Sequence, residues 1–557
     1  MSTPHHDLDV TQARYSTSSD VDDDKQHDEY RENVASQKPH VPTAAERQER
    51  LAAALAADPG VAPWSWRAIQ TLLIVLCTCC CSGDSGFDGT VMGGINSMVQ
   101  YQQYFGLASA GAKTGIIFGI FTVGSLCGAL PAAYLPDKFG RRFSMFFGNA
   151  ILIVGAVITA NAKNKSMFIG GRFLTGLGSA CAGASAKSYL VEITSPKSRG
   201  LWLGVLNSFY YVGQMAATGM MVSTGNFYGS KTELAWRLPL YIQAVPAGLN
   251  VIFVFLCPES PRWLYSRGKT DQARQILANL HSRGSDPNSP LIQLEMEEIE
   301  ERISLDGTDK RWWDFRSLFT TRSDRYRSAM CIMIGAFGQL SGNGLITYFL
   351  PVLLEQAGII DQHKRLVLNF VNSVTSMIGA LIGASIVDRF GRRNLLLLST
   401  GSLVILLAII NGLLSNPYGN STRANAGISF VYLFMVVFSF GWTPMQALYP
   451  AEVLSYQSRA KGLAFLNVVV QASSCINTFG LPVALEKIGW KVYIIFLVWD
   501  SFEFLVIYFF AVETKGLTLE EMDDVFAHEK PKAYSIAKQR DFVEKKKEAA
   551  RALKSSA

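Results

Sequence analysis

Asp137-Lys138-Phe139-Gly140-Arg141-Arg142 closes one apolar stretch of the chain, and Asp388-Arg389-Phe390-Gly391-Arg392-Arg393 closes another. An acid, a glycine and two arginines at fixed spacing, met twice, mark a duplication. Two further pairs keep the same order: Glu192 with Arg199 matches Glu452 with Arg459, and Glu259 matches Glu513. Chance explains such a series poorly, and parallel repeats of helical bundles are a known transporter plan. The glycines permit tight turns. Acids beside arginines can form ion-pair clusters between helices, closed in one conformation and open in another. For any single arginine the competing reading is topology-setting charge.

Working outward, apolar runs bounded by charge extend over about 68–92, 114–134, 144–160, 167–190, 201–224 and 238–256, then 328–351, 367–387, 395–414, 427–447, 463–483 and 490–510. Runs of roughly 20 residues match the hydrocarbon thickness of a bilayer. Barrel strands would be about ten residues long with strict alternation, a pattern absent here. The expected fold is therefore an all-α membrane protein with twelve transmembrane helices in two six-helix bundles and short cytoplasmic helices between them. The boundaries follow: a disordered cytoplasmic tail 1–62, a first bundle 63–260, linker helices 261–327, a second bundle 328–512 and a tail 513–557. The linker carries Glu295, Glu297, Glu298, Glu300 and Glu301 and then Trp312, Trp313 and Phe315, which reads as amphipathic helices on the membrane surface. In the last tail, Lys545, Lys546 and Lys547 read as a frayed helix in solvent, with anionic lipid as the functional alternative.

Composition agrees. Of 557 residues 17% are charged, against about 25% in a typical soluble protein. The net charge of +6 comes from basic residues beside apolar runs, so positive loops explain it better than nucleic acid does. Lys138, Arg141, Arg142, Lys197, Arg199, Arg389, Arg392 and Arg393 fall on one side, which the positive-inside rule makes cytoplasmic, with both termini. Lys163 and Lys165 argue weakly the other way. Asn420-Ser421-Thr422 is a sequon on the outer side, making Asn420 a glycosylation candidate. Cys77, Cys79, Cys80 and Cys81 lie in an apolar run and read as small hydrophobes. No catalytic pair, cofactor motif or metal-ligand spacing is present in the sequence, so an enzyme is not expected.

With Gly86-Phe87-Asp88, the paired Asp-X-X-Gly-Arg-Arg loops, Gly171-Arg172, Pro258-Glu259-Ser260-Pro261-Arg262 and Glu513-Thr514-Lys515-Gly516 in place, residues 64–526 resemble the sugar-porter family of the major facilitator superfamily. Ser341-Gly342-Asn343-Gly344-Leu345-Ile346-Thr347-Tyr348 is similar to the fungal branch with lactose permease-like and hexose transporters. The resemblance implies a plasma-membrane carrier of sugar, proton-coupled in most such members. A facilitative carrier or exporter of a non-sugar polyol or secondary metabolite is the alternative. A monomer suffices for such transport, and the partners are a neutral sugar, a proton and membrane lipid.

Asp88 lies in an apolar run, where an ionised side chain is costly and usually functional or paired. The resemblance implies that Asp88 carries the proton and that Arg172 tunes it; a fixed structural pair is the competing reading. For sugar contacts, amides, hydroxyls and an aromatic plate are needed. Asn207 and Gln214 are seven apart on one helical face. Gln339, Asn343, Thr347 and Tyr348 in the seventh span, Ser376, Trp442 and Gln471 complete the candidate set. Where the family pattern has an Asn and a second Trp this chain has Gly344 and Ala447, and Lys187 replaces a frequent Pro. The missing aromatic at Ala447 leaves a wider pocket that would suit a disaccharide or a non-sugar polyol, and the three departures together keep the alternative carrier reading open. Gating falls to Asp137, Gly140, Arg141, Arg142, Glu192, Arg199 and Glu259, and to Asp388, Gly391, Arg392, Arg393, Glu452, Arg459 and Glu513.

Overall fold

The computed structural model describes residues 44–62, 64–196, 198–306, 315–356, 358–414, 421–455, 458–515, 517 and 519–540, and every regular element among them is helical. Residues Leu51–Ala557 form one compact unit; of the other, Met1–Arg50, the described residues begin the helix Ala44–Ala57. The compact unit opens with α1 (Trp66–Asn96), α2 (Ala112–Phe139), α3 (Arg141–Ala160), α4 (Lys165–Ile193), α5 (Arg199–Thr224) and α6 (Leu234–Leu256). Three short helices follow: α7 (Pro261–Ser266), α8 (Thr270–His281) and α9 (Pro290–Asp306). The second series is α10 (Arg322–Glu355), α11 (Gln362–Phe390), α12 (Arg392–Leu414), α13 (Ser421–Val453), α14 (Arg459–Cys475), α15 (Val492–Phe510) and α16 (Leu519–Ala527).

Among the described residues, nine helical segments are long and apolar enough to cross a membrane. This is an all-α, multi-pass membrane protein. Two helices, α4 and α5, have spanning length at 29 and 26 residues but are diluted by glycine, serine and charge. Large apolar side chains such as Leu73, Leu130, Ile252, Ile405, Val498 and Phe509 face outward, as a lipid-facing surface requires. Three helices are interrupted: α6 breaks at Gln243, between Leu234–Ile242 and Ala244–Phe253. Gly342 adopts φ +87° where α10 breaks, and α14 runs through a π turn, Ile476–Gly480, into Leu481–Ile488. Such breaks free backbone groups for other partners and recur at functional sites.

The three short helices after α6 pack on one another, and Glu295, read in the sequence as part of a polar face, is buried among them. Leu264, Ala273, Leu277, Ala278, Ile292 and Met296 form a small core of their own, and α8 rests against α1 while α7 rests against α4. The frayed-helix reading of the tail needs correction over 519–527. Val525 and Phe526 are buried, and Arg327, buried at the base of α10, donates to Asp523 at 2.6 Å and to the carbonyls of Val453 and Met522. A buried guanidinium must be given acceptors, and the end of α13 and α16 supply them. Trp312, Trp313, Asn420, Lys545, Lys546 and Lys547 lie outside the described residues, as does the side chain of Asp388.

At the end of the molecule opposite the Arg-Arg loops the two series are tied together. Gln362 of α11 accepts from the Val99 N–H at 3.0 Å and donates to the Gly225 carbonyl at 2.8 Å. The Gly111 N–H donates to the Pro482 carbonyl at 3.0 Å.

Candidate functional site

Asp88 is fully buried in α1. One oxygen, Oδ1, accepts from Arg172 Nη1 of α4 at 2.5 Å and also from Gln243 Nε2 of α6. The other, Oδ2, has no partner. Arg172 is itself buried and lies over the Phe121 ring, 4.8 Å from its centroid. The structure thus joins the two residues that sequence paired and adds a third, Gln243. Three helices meet at one carboxylate. A proton arriving on Asp88 would remove the anion that Arg172 faces, so the site can link protonation to helix packing.

A seam between the two helical series passes beside this cluster. The Tyr211 hydroxyl meets Thr443 at 2.9 Å, Thr218 donates to Ser373 at 3.2 Å, and Thr122 meets Thr478 at 3.4 Å. Gln214 is buried on α5, three residues after Tyr211 and four before Thr218, and so shares their face. Gln339 and Asn343 are half-buried at the break in α10, where Asn477 of the π turn donates to the Gln339 carbonyl and Asn343 Oδ1 has no partner. Tyr348 and Thr347 run past α1, with a Cβ built on Gly93 only 2.7 Å from the Tyr348 carbonyl oxygen.

Other candidates fit less well. The Ser376 hydroxyl is spent on its own helix, donating to the Asn372 carbonyl at 2.8 Å. Trp442 is wholly buried, with its indole N–H unpartnered among the described residues. Asn207 is exposed and Gln471 is half-buried.

The duplicated motifs become duplicated geometry. Gly140 (φ +96°) and Gly391 (φ +89°) turn the chain from α2 into α3 and from α11 into α12. Glu259 accepts from the Arg141 N–H at 3.1 Å, and Glu513 accepts from the Arg392 N–H at 2.8 Å, so each acid caps a helix N-terminus. Beyond the caps, Arg141 pairs with Glu192 at 2.9 Å and Arg392 with Glu452 at 2.7 Å. Ser260 and Thr514 donate hydroxyls to those same carboxylates. Arg142 and Arg393 donate to the Phe255 and Tyr508 carbonyls. Arg199 and Arg459 open α5 and α14. Asp137 is the outlier: its side chain is 78% exposed and meets Arg141 Nη1 at 3.2 Å. Glu192→Gln is expected to destabilise the purified protein by about 1–3 kcal/mol, because it strips a buried hydrogen-bonded charge, whereas Asp137→Asn shifts it by less than about 0.5 kcal/mol. Thermal unfolding in detergent reads both, and equal shifts would contradict the difference in burial.

Several polar groups went unnoticed in the sequence. Gln243 and Asn477 are buried amides inside apolar runs, and amides in such runs are the signal that could have found them. Asp84, one helical turn before Asp88, is buried with Oδ1 unpartnered. Asp500 and Glu503 are fully buried in α15; neither Asp500 oxygen has a partner, while Trp499 Nε1 donates to Glu503 at 2.5 Å. Charged letters inside an apolar run are legible as exceptions, but whether they face lipid or interior is not.

The family described as "Sugar (and other) transporter" matches residues 74–526. The MFS glucose transporter mfs1 of Aspergillus flavus is 27% identical over 464 residues, covering 79% of this chain and 87% of that protein. The high-affinity glucose transporter of Kluyveromyces lactis is 27% identical over 465 residues, covering 80% and 83%. In structure, the inward-open xylose transporter XylE from E. coli superposes with a TM-score of 0.67 at 20% identity, covering 82% of this chain and 99% of that one. At that identity the likeness speaks for the fold.

Proposed function

We propose, from the premise that this chain belongs to the Sugar (and other) transporter family of the major facilitator superfamily, that it carries a neutral sugar together with a proton across the plasma membrane by alternating access. Family members are transporters and not enzymes, and so is this chain. The observation that carries the proton coupling is the buried Asp88, held through one oxygen by Arg172 and Gln243 and free at the other. An intramembrane acid with one fixed cation is a site at which proton binding changes the attraction between helices.

The sugar reading is supported by the amides and hydroxyls gathered at the seam, Gln214, Gln339, Asn343, Tyr211 and Asn477, which suit the hydroxyls of a neutral ring. Glucose is named for the two fungal relatives and xylose for the bacterial structure. In this reading α1–α6 and α10–α15 are the twelve spans of two six-helix bundles, and the basic loops after α2, α4 and α11 put both termini in the cytoplasm. The ties through Gln362 and Pro482 then lie on the outer side, and the conformation is one closed to the outside. A non-sugar polyol or secondary metabolite is favoured by one feature, the absence of an aromatic at Ala447 beside a Trp442 that is buried away.

Uptake of labelled glucose, galactose, xylose, lactose and cellobiose into proteoliposomes, with and without a proton uncoupler, tests the proposal. Accumulation of at least one sugar that collapses on uncoupling is expected. No uptake of any of them overturns the sugar; uptake indifferent to the uncoupler keeps the sugar and rejects the symport.

A further inference from the structure

His281 ends α8 and is buried, and both of its ring nitrogens face acceptors. Nδ1 lies 2.6 Å from Glu295 Oε2 of α9, and Nε2 lies 3.1 Å from the backbone carbonyl oxygen of Ile193, the last residue of α4. A carbonyl only accepts, and an ionised carboxylate only accepts, so this geometry asks for a proton on each nitrogen. Glu295 is also buried, and its second oxygen has no partner.

Among the described residues, Glu295 is the counter-ion that faces the ring. From α5 Arg199 opposes the positive ring. Glu192, beside Ile193, is committed to Arg141 and Ser260. Asp58 is committed to Ser289 and to the N–H groups of Arg283 and Gly60, and Arg67 donates to the Arg283 carbonyl. Burial works against the charged ring, but Glu295 and the Ile193 carbonyl outweigh it, so His281 binds its proton more tightly than an ordinary histidine.

We propose that His281 is a proton-operated pin: as an imidazolium it fastens the linker helices α8 and α9 to the end of α4, and its deprotonation releases them. A neutral ring carries a single N–H. It can serve Glu295 or the Ile193 carbonyl, and the other buried acceptor loses its donor. The sign follows from linkage. The folded-state affinity for the proton is raised, so the fastening is complete below the ordinary histidine value of about 6.5 and is lost as pH rises through the raised one. The α4 end that the pin holds carries Glu192, whose pairing with Arg141 would rearrange in each transport cycle. In a symporter that delivers protons to the cytoplasm, cytoplasmic acid would hold the linker docked, a regulation by the co-transported ion that rests on the transport reading above.

Hydrogen exchange of the full-length protein in detergent tests the pin without requiring transport. Protection of 270–306, corrected for intrinsic rates, is expected to fall at least about tenfold between about pH 6 and about pH 9, while α15 changes little. In His281→Gln the protection is expected to be independent of pH, and in Glu295→Gln, which keeps the ring but removes its counter-ion, the fall moves to lower pH. Wild-type protection that does not change with pH overturns the proposal, as does a Glu295→Gln variant whose fall stays at the wild-type pH. Failure of sugar uptake in proteoliposomes would instead defeat the transport reading and leave the exchange result standing.

Discussion

Asn in place of Asp88 is expected to abolish accumulation of sugar against its gradient, bringing the inside-to-outside ratio to about one, while exchange down a gradient persists within about tenfold of wild type. Asn keeps the shape and offers Gln243 an acceptor, so the local packing survives. What disappears is the group that takes up and releases the proton, together with the anion that Arg172 faces. Arg172 is then left charged and buried; removing one partner of a buried pair costs about 3–5 kcal/mol. Asp88→Asn with Arg172→Gln is accordingly expected to recover the thermal stability that Asp88→Asn loses, without recovering uphill transport. Unchanged uphill uptake by Asp88→Asn would remove Asp88 from the coupling and leave the cluster as a fixed structural pair.

Ala at Gly213 is expected to prevent folding of most of the protein. Here α1 and α5 cross with their backbones in direct contact: a Cβ on Gly213 would lie 1.8 Å from the Gly83 carbonyl oxygen, and one on Gly86 would lie 1.9 Å from that of Tyr210. The obstacle is backbone on a helix, which cannot swing aside as a flexible side chain can. Overpacking usually costs about 1–3 kcal/mol, and separating two helices along a whole crossing costs more, against a total stability of about 5–15 kcal/mol. Gly204 provides the control on the same helix, because a Cβ there meets nothing within 4 Å. Gly204→Ala is expected to be neutral or stabilising by about 0.5–1 kcal/mol. Size-exclusion profiles and thermal unfolding of the two variants separate the cases, and a well-folded Gly213→Ala would show that the crossing can yield.

These two sites differ in how far they could be read in advance. Asp88 and Arg172 stood out because charge is scarce in apolar runs, and their resemblance to a family motif paired them. Gln243 did not, since an amide in a run such as Leu240-Tyr241-Ile242-Gln243 shows that it needs a partner without showing which helix supplies it. Trp442 and Ser376 were placed in the sugar site by type and position. In the structure Trp442 is wholly buried and the Ser376 hydroxyl donates to the Asn372 carbonyl of its own helix, details that residue type does not give. The Arg141–Glu192 and Arg392–Glu452 pairs were legible as clusters of motif charges, but not their exact partners, because each joins loops far apart in the chain.

What the sequence determined by itself is whatever depends on local order: runs long enough to span a bilayer, the duplicated acid, glycine and arginine loops, the amphipathic linker, and the unusual acid at position 88. Lipid imposes a one-dimensional code of length and polarity that can be read along the chain. The tertiary structure alone decided which polar groups meet: that Gln243 completes the Asp88 site, that His281 reaches Glu295 and Ile193, that Arg327 is met by the tail, and that the Asp500 oxygens find no hydrogen-bond partner among the described residues. Those facts turn on how helices rotate about their axes and how closely they approach. A periodic apolar pattern fixes neither when polar and small residues occur on several faces of the same helix.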